Sequence, residues 1–210
     1  GIFNLTSSGP VAVTLGTPGL VNASNVVHYI QDGNSKNGSI ASSTFFDYVD
    51  TGTTFQIDNP IYASVTQKYV TSDSISFPIQ FGVNLTVRYT EQFWVQISSS
   101  HDLPSPSQWA VSGSSLTVNV TSPADYDGIG TRYRCTGYTL DNNAPVTDGS
   151  VGYTFENIQN THSITFNWIV QYRLTVSSDH DSPVPSGPDN WYDTGALITV
   201  SVTSPADQVG

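Results

Sequence analysis

Short runs of alternating apolar and polar residues cover most of this 210-residue chain. The first run places Val11, Val13 and Leu15 on one side of a strand, with Ala12 and Thr14 between them. Further runs rich in Val, Ile, Phe, Tyr and Trp predict strands at residues 26–30, 45–46, 79–97, 116–121, 131–140, 150–155, 163–177 and 197–203. Clusters of Gly, Pro, Asn and Asp separate the runs, including a turn predicted at residues 32–38. No segment has helical periodicity with caps, so the pattern predicts an all-β fold of the sandwich class.

One stretch of the sequence occurs twice. From Ser98 the chain reads SSSHDLPSPSQW and then SLTVNVTSPAD. From Ser177 it reads SSDHDSPVPSGPDNW and then LITVSVTSPAD, with three additional residues before Trp191, the counterpart of Trp109. So many matches in the same order indicate two related structural units.

A looser copy of the unit lies in the first ninety residues. There YVDTGTTFQI, from Tyr48, aligns with WYDTGALITV, from Trp191. The sequence therefore predicts an N-terminal strand segment at residues 1–20, a first β-sandwich domain at 21–90 and a second at 91–210. The N-terminal segment has no counterpart in the repeats. Because the last copy stops at Gly210 where the earlier copy continues with strand-like sequence, we expect a strand from elsewhere to complete it.

Hydroxyl groups rather than charges make the chain polar. It contains 28 Ser and 24 Thr but only six Lys and Arg, against 17 Asp and Glu. With a net charge of −11, it lacks the clustered basic residues that nucleic acids and anionic membranes require, so neither is an expected partner. No run predicts a membrane span or a signal peptide, although a secreted chain numbered from its processed end would look the same.

Five N-x-S/T sequons predict N-linked glycans, at Asn4, Asn22, Asn37, Asn84 and Asn119. They fall in or beside turns, or at polar strand positions where a sugar reaches solvent. Their number alone is close to what chance gives in a chain so rich in Ser and Thr. The lone Cys135 excludes an intrachain disulfide. It is interpreted as a buried strand cysteine, with intermolecular pairing as the alternative.

No combination of residues predicts catalysis, a metal centre or a cofactor. His101-Asp102 and His180-Asp181 recur in both copies and are interpreted as turn residues, with metal ligation or an acid–base pair as the alternatives. The run DYDG from Asp125 begins like a calcium loop but lacks the downstream acidic ligand.

The remaining candidates carry no motif either. Glu91 and Glu156 are the only glutamates, and neither stands in the context of a glycosidase pair. An isopeptide bond from Lys68 to a buried asparagine is a further alternative. Strand aromatics are most often core residues and cross-strand pairs, but they can also form a carbohydrate-stacking face. The tryptophans open to both interpretations are Trp94, Trp109, Trp168 and Trp191.

The motifs SSxHDxP, WYDTG, VTSPAD and GTRYRCTGY resemble a repeat module of secreted and surface proteins of thermophilic archaea. The resemblance covers residues 92–210 well and the first ninety loosely, and it implies a β-rich surface module without known catalytic residues. The layout is also similar to that of the archaeal thread pilins, which implies two Ig-like or pilin-like β-sandwich domains with an N-terminal donor strand. Thread pilins are glycosylated extracellular filament subunits, in which one subunit's N-terminal strand completes the next subunit's sheet.

The resulting hypothesis is a non-enzymatic subunit of an extracellular archaeal filament at the cell surface. Identical subunits would join head to tail by donor-strand complementation and support adhesion or biofilm formation. Val11, Val13 and Leu15 are the expected donor-strand residues, and folding of this strand onto its own domain is the alternative. The alternative function is a carbohydrate-binding or adhesive β-module of a larger surface protein or secreted enzyme. Because few carboxylates have cationic partners, we also expect stability to change little toward acid pH.

Overall fold

A computed structural model describes residues 8–16, 21–80, 82–102, 104–185 and 190–203. The regular secondary structure of these residues is strand throughout, so the all-β fold class is confirmed. None of the described residues forms a helix that is long and apolar enough to cross a membrane. The strands, in chain order, are β1 (Ser8–Leu15), β2 (Ala23–Gln31), β3 (Asn34–Ile40), β4 (Thr44–Asp50), β5 (Thr54–Ile57), β6 (Ile61–Ser64), β7 (Gln67–Val70), β8 (Ser76–Pro78), β9 (Val83–Val87), β10 (Thr90–Ser99), β11 (Gln108–Val111), β12 (Leu116–Asn119), β13 (Thr131–Leu140), β14 (Gly152–Phe155), β15 (His162–Arg173) and β16 (Trp191–Asp193).

The chain divides into two compact units. Unit 1 contains the described residues up to Val95, together with Gln108–Leu116 and Glu156–Thr161. Unit 2 contains Gln96–Ser107, Thr117–Phe155 and the described residues from His162 onward. The division falls inside β10, just after the boundary at residue 90 that the sequence predicts. Two later segments return to unit 1, which a linear division of the sequence does not anticipate.

Three sheets contribute to the core of unit 1. Most of the buried side chains come from a sheet with the strand order β4-β1-β9 and another with the order β3-β2-β5-β8. Ile61 of β6 and Tyr69 of β7 join the same cluster from a third sheet, because alternate side chains of a strand point to one face. Three rings meet in this core, with centroid separations of 5.5 Å for Tyr29–Phe45 and 5.6 Å for Phe45–Phe55. Burial of each large apolar side chain stabilises the unit by about 1.5–3 kcal/mol.

The hairpin that joins β2 and β3 differs from the turn predicted at residues 32–38. Only Asp32 and Gly33 form the turn, and both have positive φ, 52° and 75°. Positive φ at both central residues is the mark of a type I′ turn, for which Asp-Gly is a preferred sequence. β3 begins directly at Asn34, and its first residues are polar because they are exposed. The turn predicted over residues 32–38 is therefore wrong. The sequence pattern did not separate turn from strand here, because an exposed polar strand has the same composition as a loop.

Unit 2 is built on the long antiparallel pair of β13 and β15, with β16 also paired to β15. A bulge shifts the register between Cys135 and Gly137. The Cys135 thiol is buried, as the sequence predicts, and lies 3.4 Å from the carbonyl oxygen of Gly137. The side chains of Ile164 and Phe166, both on β15, are buried in the core of unit 2.

The second copy of the repeat does not form the strand predicted at residues 197–203. In the first copy the corresponding strand, β12, pairs with β14. In the second copy the pairing found among the described residues is a single bridge between Val184 and Ser201. Val118 of the first copy is fully buried, whereas its counterpart Val200 is 50% exposed. The prediction is wrong because a strand needs a partner, and similar local sequence does not supply one.

Gly137 offers a test of the bulge. A Cβ at this position would lie 2.0 Å from the carbonyl oxygen of Val146, and φ is +132°. The backbone of Val146 is held by two hydrogen bonds with Tyr138, so it cannot move away freely. We expect Gly137→Ala to lower the free energy of unfolding by at least about 3 kcal/mol, measured by denaturant titration.

Gly128→Ala is the matched control. Its φ is +80°, but a Cβ there would meet nothing within 4 Å. Backbone strain alone should therefore cost about 1 kcal/mol. Equal losses for the two variants would contradict the proposed clash.

Candidate assembly groove and surface sites

β1 is the middle strand of its sheet and separates β4 from β9. It runs antiparallel to β4 and parallel to β9. Val11, Val13 and Leu15 point inward and are at most 3% exposed. We call the space that these three side chains fill between β4 and β9 the β1 groove. Without β1, both neighbouring strands would lose their backbone partners and the groove would open into the core.

The walls of the β1 groove are largely apolar. In register, Val13 lies between Phe45 of β4 and Leu85 of β9, and Leu15 lies beside Val87. Two further backbone bonds extend the pairing past the strand end, from Leu15 N to Ser43 O at 2.8 Å and from Gly16 N to Val87 O at 2.9 Å. Val13 therefore has apolar neighbours on both sides, and Leu15 has one on the β9 side.

Asp47 is the polar exception in the groove wall, opposite Val11. Its carboxylate accepts hydrogen bonds from Tyr29 Oη at 2.5 Å and from Gln31 Nε2 at 3.0 Å. Burial acts to raise the pKa of Asp47, but the bonds from Tyr29, the Tyr48 amide and Gln31 outweigh it, so the pKa lies below its ordinary value. Burial, together with this bond, raises the pKa of Tyr29 to about 12. The pair is a charged hydrogen bond that persists at neutral pH.

In this single chain the predicted donor strand occupies the groove of its own unit. That is the arrangement that the sequence leaves open as the alternative to donation. Val11, Val13 and Leu15 have the inward orientation that the alternating pattern predicts. Donation to a neighbouring subunit would require the same contacts between two chains.

The described sequon asparagines all lie on the surface. Asn4 falls outside the described residues. The other four are exposed, which gives a glycosyl group access to each of them: Asn22, Asn37, Asn84 and Asn119.

Asn37 also takes part in a small surface network. His28 Nδ1 lies 2.9 Å from Asn37 Oδ1, and His28 Nε2 lies 2.9 Å from Asp58 Oδ1. The hydrogen bonds to Asn37 and then Asp58 raise the pKa of His28 above 6.5. Protonated His28 therefore contributes stability below about pH 6.5, and the contribution is lost as pH rises through the raised pKa.

In the first His-Asp dipeptide, both side chains bind residues elsewhere in the chain. His101 Nδ1 binds Asp125 at 2.8 Å, and its ring stacks on Tyr133 with centroids 3.5 Å apart. Asp102 accepts a hydrogen bond from the backbone amide of Thr121 at 2.5 Å. Both copies thus use the aspartate to bind backbone, since Asp181 accepts the amide of Thr203, the counterpart of Thr121, at 2.8 Å.

Asp127, in the DYDG run, organises its own loop. Its Oδ1 accepts the amides of Ile129, Gly130 and Thr131 at 2.8–3.0 Å. The backbone bonds from Thr131 and Ile129 lower the pKa of Asp127 to about 2. Within the part of the chain that the structure describes, no cluster of three or more His, Cys, Asp or Glu could hold a metal ion.

The two glutamates hold separate hydrogen-bond partners. Glu91 accepts from Gln67 Nε2 at 2.6 Å, and Glu156 accepts from Ser115. Lys68 Nζ lies 4.4 Å above the ring of Trp109, which is a cation–π contact and not the asparagine pairing that an isopeptide bond requires.

A cation stacks on the tryptophan of each repeat, which the sequence did not indicate. Lys68 lies over Trp109, and the guanidinium of Arg132 lies 4.3 Å above Trp191. The two cations have equivalent strand partners: Lys68 of β7 is opposite Gln92 of β10, and Arg132 of β13 is opposite Gln171 of β15. The cations come from strands outside the repeated stretch, so only strand pairing brings them to the ring.

Trp109 also belongs to an exposed aromatic face in unit 1. Trp94 lies opposite it on β10, with ring centroids 5.3 Å apart. Tyr62, which is 58% exposed, lies 6.3 Å away on the other side. We call Tyr62, Lys68, Trp94 and Trp109 the aromatic face. The tryptophans Trp94 and Trp109 are half-buried and lie outside the core.

The Asp47 bond predicts a pH-dependent contribution to stability. Because its folded pKa lies below the ordinary 3.8, the contribution is present above that pH and is lost as pH falls through the folded pKa. We expect Asp47→Asn to lower the free energy of unfolding by about 1 kcal/mol at pH 7 and by much less at pH 2–3. Asp32→Asn, in an exposed turn where Asn is equally suited, is the control. A deficit for Asp47→Asn that does not change with pH would contradict this role.

Comparison with known proteins identifies no relative. No family model matches the chain, and neither the curated proteins searched nor the solved structures contain a match. The functional argument therefore depends on the residues and contacts described above.

Proposed function

We propose that this chain is a structural subunit of an extracellular filament, in which β1 of one copy fills the β1 groove of the next. The observation that carries the proposal is the middle position of β1 between β4 and β9, with three apolar side chains fully inserted. A middle strand leaves two unpaired neighbours when it is absent. A second chain that offers the same strand can satisfy both.

The contacts of β1 do not depend on which chain supplies it. An exchanged strand would keep the same register against β4 and β9 and bury the same Val11, Val13 and Leu15. Each inserted side chain contributes about 1.5–3 kcal/mol, so a junction would dissociate slowly. Because donor and acceptor surfaces differ, one-way donation joins subunits head to tail, and it generates an open polymer where the chain of subunits does not close into a ring.

Unit 2 offers a second surface that suits packing between subunits. A groove of about 360 Å³ is lined in part by Tyr172, Leu174, Tyr192, Ile198 and Val200. Tyr172 is 53% exposed, whereas its repeat counterpart Phe93 is 8% exposed. Apolar surface of this kind is typical of interaction sites, and in the proposed filament an adjacent subunit covers it.

The remaining features agree with a glycosylated pilin-like subunit at the cell surface that supports adhesion or biofilm formation. Exposed sequons allow N-linked glycans, and hydroxyl groups rather than ions make most of the chain polar. The proposed architecture is two Ig-like or pilin-like domains. The archaeal origin that we propose follows from the resemblance of the sequence motifs to a β-repeat module of archaeal surface proteins.

Deletion of β1 is not a clean test, because β1 also completes the core of unit 1. A cross-link across the groove is better. Ala12 of β1 lies opposite Phe46 of β4, and both side chains point away from the core. In Ala12→Cys/Phe46→Cys, the two sulfurs should be close enough to form a disulfide. Exchange between subunits should give a covalent ladder on a non-reducing gel, whereas folding within one chain gives an internally cross-linked monomer.

Mixing separate chains, one with Ala12→Cys and one with Phe46→Cys, gives the decisive form of the experiment. Assembly should yield a disulfide-linked pair that contains one of each. Ala12→Cys mixed with Lys36→Cys is the control, since Lys36 is exposed on β3, which belongs to a different sheet from β1. Native Cys135 is buried and should not interfere. If the matched pair links no more than the control, strand donation into this groove is wrong.

Carbohydrate binding is the second candidate function, and the aromatic face favours it. Aromatic rings beside a lysine and a glutamine are the combination that sugar rings use for stacking and hydrogen bonding. We expect cellohexaose or maltohexaose to change the tryptophan emission, with Tyr62→Ala weakening the affinity about tenfold. Tyr172→Ala, an exposed aromatic of unit 2, should leave it unchanged. Absence of binding by the unaltered protein would exclude this candidate for these sugars.

A further inference from the structure

The outer face of the β4-β1-β9 sheet carries an exposed aromatic pair. Phe46 is 64% exposed and Tyr48 is 52% exposed. Their rings meet edge to face, with centroids 6.0 Å apart. Both lie on β4, on the opposite side of the sheet from the core. An exposed pair of large rings is a candidate contact site that the fold of the chain does not itself explain.

A sequon lies in the same row of the sheet. Ala12 of β1 stands opposite Phe46 on one side and opposite Asn84 on the other. The three residues therefore share one face and form a line across three strands. Two strand spacings separate the backbones of Phe46 and Asn84, roughly 10 Å. The sequon's Thr86 lies on the same face, opposite Thr14 of β1.

The small side chain of Ala12 leaves the surface between Asn84 and the two aromatic rings unobstructed. A methyl group rises little above the sheet, so the first sugars on Asn84 can lie flat across β1. The face of a pyranose ring presents C–H groups that pack on aromatic rings, while its hydroxyls remain in water. Phe46 and Tyr48 are placed where such a glycan would arrive.

We propose that an N-linked glycan on Asn84 crosses β1 and packs its first sugar residues against Phe46 and Tyr48. This rests on the glycosylation included in the proposed function, but the row is the same whether β1 comes from its own chain or from another. In the filament, Asn84 and Phe46 belong to the acceptor and Ala12 to the donor. The glycan then lies over the inserted strand and opposes its release.

A double-mutant cycle on the glycosylated protein tests the contact. Glycopeptide mass spectrometry first establishes that Asn84 is occupied. The midpoint of thermal unfolding is then compared for the unaltered protein, Asn84→Gln, Phe46→Ala and the double variant. We expect loss of the glycan to lower the midpoint by about 2–4 °C when Phe46 is present and to have little effect when it is absent.

Two further variants test whether the coupling with Phe46 belongs to the glycan on Asn84. Thr86→Ala removes the same sequon without changing Asn84 and should reproduce the coupling. Asn119→Gln removes an exposed sequon of unit 2 and should give the same shift with or without Phe46. If Phe46→Ala alters folding, Tyr48→Ala takes its place in the cycle.

An unmodified Asn84, or a glycan effect of equal size with and without the ring, would overturn the proposal. Either result leaves the cross-linking outcome for β1 untouched. Conversely, a failed cross-link with positive coupling would reject strand donation and retain the glycan contact.

Discussion

The backbone hydrogen bonds of β4 and β9 impose the main constraint on unit 1. The two strands flank β1, and each depends on it for pairing along this sheet. The same strand closes the core over Phe45, whose ring packs on Tyr29 and Phe55. Pairing and burial are therefore linked, because the strand that satisfies the backbone also supplies Val11, Val13 and Leu15. A subunit with an empty groove would lose both at once.

Strand formation in this protein depends on partners more than on local sequence. The run around Val118 forms a strand against β14, while the closely similar run around Val200 is largely exposed. The same principle explains the stacked cations. Lys68 and Arg132 reach equivalent tryptophans because the strands that carry them pair in equivalent positions. The repeat thus preserves an interaction whose cationic half lies outside the repeated sequence.

Carboxylates here are stabilised mainly by neutral donors. Asp127 binds three backbone amides, Asp102 and Asp181 also accept backbone amides, and Asp47 binds a tyrosine hydroxyl. Arg134 with Asp193 is an example of a cationic partner, at 2.5 Å. Bonds to the charged form lower the pKa of Asp127 and Asp193, so their contribution to stability is present above the ordinary pKa and is lost only in strong acid. Such bonds add an acid-dependent contribution to stability that the composition alone does not indicate.

The sequence by itself determined the all-β class, the inward positions of Val11, Val13 and Leu15, the burial of Cys135 and the repeat, because these follow from alternation and local composition. It did not determine the short Asp32-Gly33 turn, the missing strand at residues 197–203, the segments that return to unit 1 or the cations on the tryptophans. Nor could it place Asn84, Ala12 and Phe46 in one row. Each of these depends on which distant strands pair and in what register. Alternation assigns a side chain to a face, but only tertiary pairing decides its neighbours.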